Sequence, residues 1–320
     1  MRSTKRITAV VLLLAAVCLY GCTGFVERFY PEETKDPDQS VFVPVDIEDG
    51  SIYFKDFDGN VITLSSAPEK VASLSEISTE IICGLGAGRY ITALNESSLS
   101  VEGAPISAEV LPDYESDTDK LKELSPQIIF YDNTLSTLTA AMLRTAGFTL
   151  VRVLEKGDIS TAEANIRFVS SLLYKDSNGE QMIAEMRAEY EKMSVLAELI
   201  GVKKRVYIEG TSAYYGCGGD SIVSELCAYA GAENVFADKS GTFTTNAAEL
   251  KQKDPEAIIV LCNDTDNFQI ETVTKRSGLE DVYAVRIKAV YAIDAKAAAR
   301  PTQNITKALK SIGEALKVTK

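Results

Sequence analysis

The sequence predicts an α/β protein of two β/α lobes with central, mostly parallel sheets, joined by one long rigid helix. Three observations predict it. From Asn178 to about Gly201 the chain reads NGEQMIAEMRAEYEKMSVLAELIG, with apolar residues at Met182, Ile183, Met186, Tyr190, Met193, Leu196, Ala197 and Ile200, the spacing of one helix face. Gly179 and Gly201 bracket a run with no internal Gly or Pro, so one uninterrupted helix of roughly 35 Å is expected. The chain on either side repeats itself. LKELSPQIIFYDN (Leu121 to Asn133) and LKQKDPEAIIVLCN (Leu250 to Asn263) each give a polar helix end, then Pro126 or Pro255, then an apolar run long enough for one fully buried strand. Finally, strand-like and helix-like runs alternate on both sides of the long helix, which favours parallel sheets. The alternative is one α/β domain whose helices are merely alike.

Composition narrows the function. The chain has 320 residues, 46% apolar and 25% charged, a soluble globular balance with room for two domains. Formal net charge is −13; without residues 1 to 21, which carry Arg2, Lys5 and Arg6 and no acid, 30 basic side chains face 46 acidic ones, or −16. Nucleic acid is not an expected partner. Histidine is absent, which removes the commonest general base and metal ligand.

In chain order, residues 1–22 have a basic start, an apolar run from Ile7 to Tyr20 and a closing Gly21-Cys22, the pattern of a secretion signal. Leu19-Tyr20-Gly21-Cys22 resembles the bacterial lipobox, which makes Cys22 the expected site of lipidation and the membrane the expected place of anchorage. Residues 23–50 are polar and acidic and read as a flexible tether. The first lobe is expected over 51–177, the linking helix over 178–201 and the second lobe over 202–320. SIYFKDFDGNVITL is a hairpin around Asp58-Gly59-Asn60, placed as a lid on an edge of the first lobe. Strands are expected at 70–75, 91–95, 128–132 and 149–154, with helices at 78–85, 117–124 and 135–146. Ser160-Thr161-Ala162-Glu163 reads as a capping box opening a helix to about Tyr174. Beyond the long helix, strands are expected at 205–209, 234–237, 257–261 and 289–293, with helices at 221–230, 247–251 and 301–316. GTSAYYGCGGD reads as a loop.

KVASLSEISTEIICGLGAG, SPQIIFYDN, KRVYIEG, GAENVFAD, DPEAIIV and AVYAID followed by ARP resemble, in matching order from about Asp58 to Ala315, the periplasmic binding protein family that serves ABC importers of iron complexes, haem and cobalamin. The resemblance implies a ligand cleft between the lobes and a protein that binds and delivers without catalysing.

Other motifs carry less. Gly84-Leu85-Gly86-Ala87-Gly88 closes a helix and lacks a following Lys-Ser or Lys-Thr, so it is a helix cap and turn, not a phosphate loop. Asn263 to Asn267 lacks the glycine and glutamate of a calcium loop. Cys83, Cys217, Cys227 and Cys262 form no CxxC pair; Cys83 and Cys227 are expected as buried small hydrophobes, and a disulfide among the four stays open.

In parallel α/β sheets ligands sit outside the carboxyl ends of the strands. The loops there offer Glu76, Ser78, Asn95, Tyr114, Asp132 and Asn133 on the first lobe. Thr211, Ser212, Tyr214, Tyr215, Cys217, Phe243, Asn263 and Arg300 are offered on the second. Tyr214-Tyr215 is expected as an aromatic wall, ordinary packing being its alternative; Phe243 falls near the place where cobalamin-binding members of the family carry an aromatic residue. Arg300 before Pro301 matches a recurrent family arginine and suits an anion anchor, a structural salt bridge being its alternative. The resemblance also implies one acidic docking residue per lobe for the permease. Aligning the two Pro residues places Asp119 on the first lobe, but Ala248 falls at the second position and Glu249 is the nearest acid.

The function expected is a monomeric, lipid-anchored substrate-binding component of an ABC importer, working with a permease and its ATPase. It has no intrinsic cofactor and no metal of its own. A ferric siderophore is the first expected ligand, with haem or cobalamin as alternatives. A surface lipoprotein hydrolase or a sensor on the same scaffold is the alternative of another class, although the mature chain has no SxxK or GxSxG motif.

Overall fold

The computed structural model describes residues 47–48, 51–112, 118–201, 203–263 and 267–317. It opens with an antiparallel sheet of β1 (Ile47–Glu48), β2 (Ser51–Lys55) and β3 (Val61–Leu64). The buried Asp56 carboxylate accepts from the Asp58 and Asn60 N–H groups at 3.0 and 2.7 Å, and Gly59 supplies a φ of +83°, so the Asp-Gly-Asn turn forms as its residues dictate. Asp58 then takes a forked hydrogen bond from Arg152, at 3.0 Å from Nε and 2.8 Å from Nη2, which pins the hairpin to an edge of the next sheet.

That sheet is parallel, in the order β6 (Glu109–Leu111), β5 (Ile91–Asn95), β4 (Val71–Leu74), β7 (Ile128–Tyr131), β8 (Leu150–Arg152). Helices α1 (Glu76–Gly84), α2 (Thr118–Leu124) and α3 (Thr137–Thr145) connect its strands, and α4 (Ile159–Leu172) follows. β4 and β7 are buried along their whole length, as strands covered on both faces must be. Helix α4 starts from Asp158 instead of the expected Ser160. Asp158 accepts from the Thr161 N–H at 3.0 Å while Thr161 Oγ1 accepts from the Asp158 N–H. Glu163, no part of this cap, pairs instead with Arg187 and Arg167 and ties α4 to the next helix.

That next helix, α5 (Asp176–Ile200), has 25 residues and ends on Gly201 in the left-handed region, φ 72°. Ile183, Met186, Tyr190, Met193 and Ala197 are its buried stripe, alternating three and four residues apart as a single face requires. Gly179 lies inside the helix instead of before it. A Cβ there would stand 2.2 Å from Ser170 Oγ, so glycine lets α5 press against α4.

The second sheet runs β12 (Thr242–Thr244), β10 (Tyr215–Cys217), β9 (Lys204–Glu209), β13 (Ala257–Cys262), β14 (Val290–Asp294), with β11 (Ala232–Asn234) beside β9. Strands β9, β11, β13 and β14 are parallel; β10 and β12 are antiparallel additions at one edge. Part of the expected loop is therefore strand β10, made possible by Gly216, whose Cβ would lie 2.4 Å from the Phe243 ring. Strand β11 precedes its expected position. Helices α6 (Ile222–Tyr229), α7 (Ala247–Lys253), α8 (Asn267–Thr274), α9 (Tyr283–Arg286), α10 (Ala295–Ala299) and α11 (Ile305–Ala315) complete this half. The terminal helix begins four residues later than expected because Ala295–Ala299 forms a helix of its own before Pro301.

The internal repeat extends into the hydrogen bonds. Ser125 and Asp254, each just before its proline, both have positive φ, 50° and 41°. Gln127 N–H donates to Lys70 O at 2.8 Å, and Glu256 N–H to Arg205 O at 2.7 Å. The side chains of the same two residues accept from the strand backbone they face, Lys70 N–H at 3.1 Å and Arg205 N–H at 2.9 Å. One hydrophobic core runs through both sheets' inner sides and α5, with a satellite core on the outer side of each sheet. The four cysteines Cys83, Cys217, Cys227 and Cys262 are free thiols; Cys83 is half-buried and the others buried.

Candidate functional site

Strand order locates the site. In the first sheet the chain moves outward from β4 through β5 to β6 and then crosses to β7, so order reverses between β4 and β7, where α/β sheets open a crevice at the carboxyl ends. Ser75 and Asp132 stand there, and Ser75 Oγ donates to Asp132 Oδ2 at 2.5 Å. In the second sheet the reversal falls between β9 and β13, at Glu209 and Asn263.

On the first lobe the expected residues divide by burial. Ser78 is fully buried, its hydroxyl 2.6 Å from Ser73 Oγ; Asn95 is spent on Ser97 and Ser98; Asp132 also accepts from Thr134 N–H at 2.9 Å. All three are therefore buried and engaged within the protein. Asn133 is exposed and donates to Glu155. Tyr114 lies outside the described residues, as does Cys22.

On the second lobe Thr211, Ser212 and Asn263 are exposed, Cys217 is buried, and Phe243 is half-buried with its ring 4.9 Å from that of Phe236. Burial pushes the Cys217 thiol up to about 11, so it is no thiolate donor near neutral pH. Tyr214 holds a φ of 61°; its N–H donates to Glu209 at 3.0 Å, and the Arg276 guanidinium lies 4.6 Å from its ring centroid. Tyr215 is 43% exposed, with its hydroxyl 3.4 Å from Thr242 Oγ1.

The two sheets' carboxyl ends are joined by charge. Glu76, just after β4, takes a hydrogen bond from Lys296, just after β14, at 3.0 Å. Arg300 donates to Glu76 and, at 2.8 Å, to Glu80. Glu80 is buried and also accepts from Thr302 Oγ1 at 2.6 Å and Asn304 Nδ2 at 2.9 Å. Arg300, expected as an anion anchor, is thus engaged by two carboxylates. Sequence reading missed Glu80, Lys296, Glu209 and Arg276. A signal existed for the first two, because Glu76/Glu80 and Lys296/Arg300 are each four apart, a spacing that in sequence reads as one helix face; Glu76 and Glu80 do share one, whereas Arg300 is the extended residue that ends its helix. A separate groove of about 520 Å³ lies between α5 and α11, lined by Met193, Leu196 and Leu309 with Lys192, Lys307 and Lys310 among its rim residues.

Residues 71–297 match the model of the periplasmic binding protein family, and the chain belongs to that family. It is therefore a binding component of transport and not an enzyme. It is 23% identical over 312 residues, 95% of each chain, to the ABC transporter substrate-binding lipoprotein YvrC of Bacillus subtilis. It is 21% identical to a cobalamin-binding protein of Halobacterium salinarum, covering 79% of this chain and 68% of that one. Among solved structures, the periplasmic haem-binding protein RhuT of Roseiflexus sp. RS-1 superposes with a TM-score of 0.64 at 24% identity, over 78% of this chain and all of that one, a likeness that establishes the fold.

Proposed function

We propose that the protein captures a bulky iron chelate, of the ferric siderophore class, outside the cytoplasmic membrane and delivers it to an ABC permease. The lipid on Cys22 holds it at the surface. The lobes are residues 51–177 and 202–320, with 178–201 as the strut between them. The observation that carries the reading is the meeting of both sheets' carboxyl ends at Glu76, Lys296 and Arg300, a charged junction whose two cations are already paired with carboxylates and which a ligand with oxygen donors would have to engage. The remaining contacts in this reading are Asn133 on the first lobe and Thr211, Ser212, Tyr215, Phe243 and Asn263 on the second, residues of the loops and edge strands that follow the sheets' main strands. A thermal-shift series with ferrioxamine B, haemin and cyanocobalamin tests it. A ligand at 100 times its Kd stabilises the folded state by about 2.7 kcal/mol, and no shift with any chelate removes the reading.

Haem is the second reading, favoured by the exposed Tyr215 and by the likeness to RhuT. Its phenolate is a competent iron ligand and is better presented than Tyr214, whose ring the Arg276 guanidinium covers. Haemin bound through Tyr215 gives an altered absorption spectrum that Tyr215→Phe abolishes. Cobalamin is the third candidate, supported by the Halobacterium salinarum relative.

For delivery, Asp119 and Glu249 are the acids offered to the permease, each in the first turn of the helix that precedes its lobe's proline, Pro126 or Pro255.

A further inference from the structure

Glu76 and Glu80 are not equivalent partners of Arg300. Glu80 is 7% exposed and is fixed by Thr302 as well as by Arg300 Nη1, so it holds the guanidinium in place from the protein side. Glu76 keeps 19% of its side chain in solvent, and its carboxylate is bonded by two cations, Lys296 Nζ at 3.0 Å and Arg300 Nη2. Lys296 is itself 44% exposed and reaches Ser100 Oγ at 3.4 Å. One carboxylate is a support, and the other bridges the two cations, with Lys296 still partly in solvent.

We infer that Lys296 and Arg300 form a recognition site for an anionic group of the cargo, a carboxylate or phosphate, and that Glu76 occupies this site as a built-in competitor. The inference rests on the transport reading for the identity of the cargo, but not for the existence of the site. Two carboxylates and two cations make a neutral cluster, which offers an added anion little attraction. An incoming anion gains the site only by exchanging with Glu76, one negative charge for another, while Glu80 keeps Arg300 aimed. Because Glu76 is tethered, its effective concentration at the cations is of the order of millimolar or higher. Small anions therefore lose the competition, and a ligand wins only if the rest of it makes further contacts. This gives an acidic protein selectivity for a large anionic chelate without long-range steering. It also assigns Glu76 a sign opposite to that of a ligand donor: removing its charge strengthens binding.

The test uses three probes on the purified protein, Glu76→Gln and Glu76→Gln/Lys296→Gln. Haemin carries two carboxylates, ferrioxamine B carries a free ammonium, and citrate is a bare polyanion. Glu76→Gln is expected to bind haemin roughly tenfold tighter, the gain when the tethered carboxylate leaves the cations free about one-tenth of the time, and the second substitution to reverse the gain. Ferrioxamine B affinity should change less than about twofold, since its free group has no charge attraction to the cations. Citrate should give a saturable thermal shift with Glu76→Gln only. Weaker or unchanged haemin binding by Glu76→Gln overturns the competitor role, and absence of a citrate shift overturns the anion site. A citrate shift without binding of either iron chelate leaves the site standing and defeats the iron-chelate reading of the cargo instead.

Discussion

Glu209 and Arg276 meet through two parallel hydrogen bonds, Nη1 to Oε2 and Nη2 to Oε1, both 2.7 Å long. Glu209 ends β9 at the crevice of the second lobe with 2% of its surface exposed, and it also receives the Tyr214 N–H. The bidentate fork is the strongest arrangement these two groups can make. Removing one partner leaves a buried charge without compensation, at about 3–5 kcal/mol.

Arg276→Met is therefore expected to lower unfolding free energy by several kcal/mol, in the range just given. Glu209→Gln/Arg276→Met should recover much of the loss, because neither remaining group is charged. Urea unfolding of the two variants decides it: equal destabilisation of single and double variants contradicts a charge-burial origin.

The close approach of α5 to α4 gives a second prediction. A Cβ on Gly179 would stand 2.2 Å from Ser170 Oγ and 2.6 Å from its Cβ, distances that force the helices apart. Against this, alanine favours an exposed helix by about 1 kcal/mol. Overpacking costs typically about 1–3 kcal/mol, so Gly179→Ala should be net destabilising despite alanine's propensity. A raised melting temperature would show that the helices yield freely.

These two cases mark how far the sequence is legible. The strut, the hairpin and the Pro126 and Pro255 half-repeats are local patterns, and each formed within a few residues of its expected bounds. Gly179 was legible as a glycine but not as a contact, since nothing near it names Ser170 on the preceding helix as its neighbour. Glu209 and Arg276 are 67 residues apart, and no periodicity links them. The Asp158 cap was missed because Ser160-Thr161-Ala162-Glu163 satisfies the same rule two residues on, and only the pull of Arg187 on Glu163 decides between them. In the candidate site, Glu76 and Arg300 were both singled out, but that they face each other is a fact of sheet placement.

Asp158 supplies a pH prediction. Burial raises its pKa, but hydrogen bonds from Ser160 and Thr161 outweigh burial and bring it below the ordinary Asp value. A carboxylate depressed on folding contributes stability above its unfolded pKa and loses it as pH falls through the folded one. Asp158→Ala should cost about 1 kcal/mol near neutral pH, the usual worth of an N-cap, and less in acid. Nearby Glu225 is shifted the other way, raised by burial and by the Asp158 charge against the opposing Ile159 N–H, so Asp158→Ala is compared with its parent in a Glu225→Gln background at each pH. A cost that does not shrink in acid contradicts the charged cap.

Permease docking gives the last prediction. Asp119 lies in the first turn of α2 with 93% of its side chain exposed and Lys122 Nζ 3.4 Å away, so its charge faces solvent where a partner can reach it. Glu249 lies in the first turn of α7, half-buried, and its carboxylate accepts from Thr245 Oγ1 at 2.8 Å. That bond turns it back toward its own helix end, which is also where a carboxylate is stabilised by the helix dipole. The two acids occupy corresponding helices of the repeat, yet Asp119 is by far the more exposed of the pair. Reversing a rim charge places like charges together and chiefly slows association. Asp119→Arg is thus expected to reduce uptake strongly without altering ligand affinity. Glu249→Arg should reduce uptake less and also cost some stability, because it places a cation at a helix N-terminus and breaks the Thr245 contact. Transport assays run beside ligand titrations separate these effects, and normal uptake by the double variant would remove both acids from the docking surface.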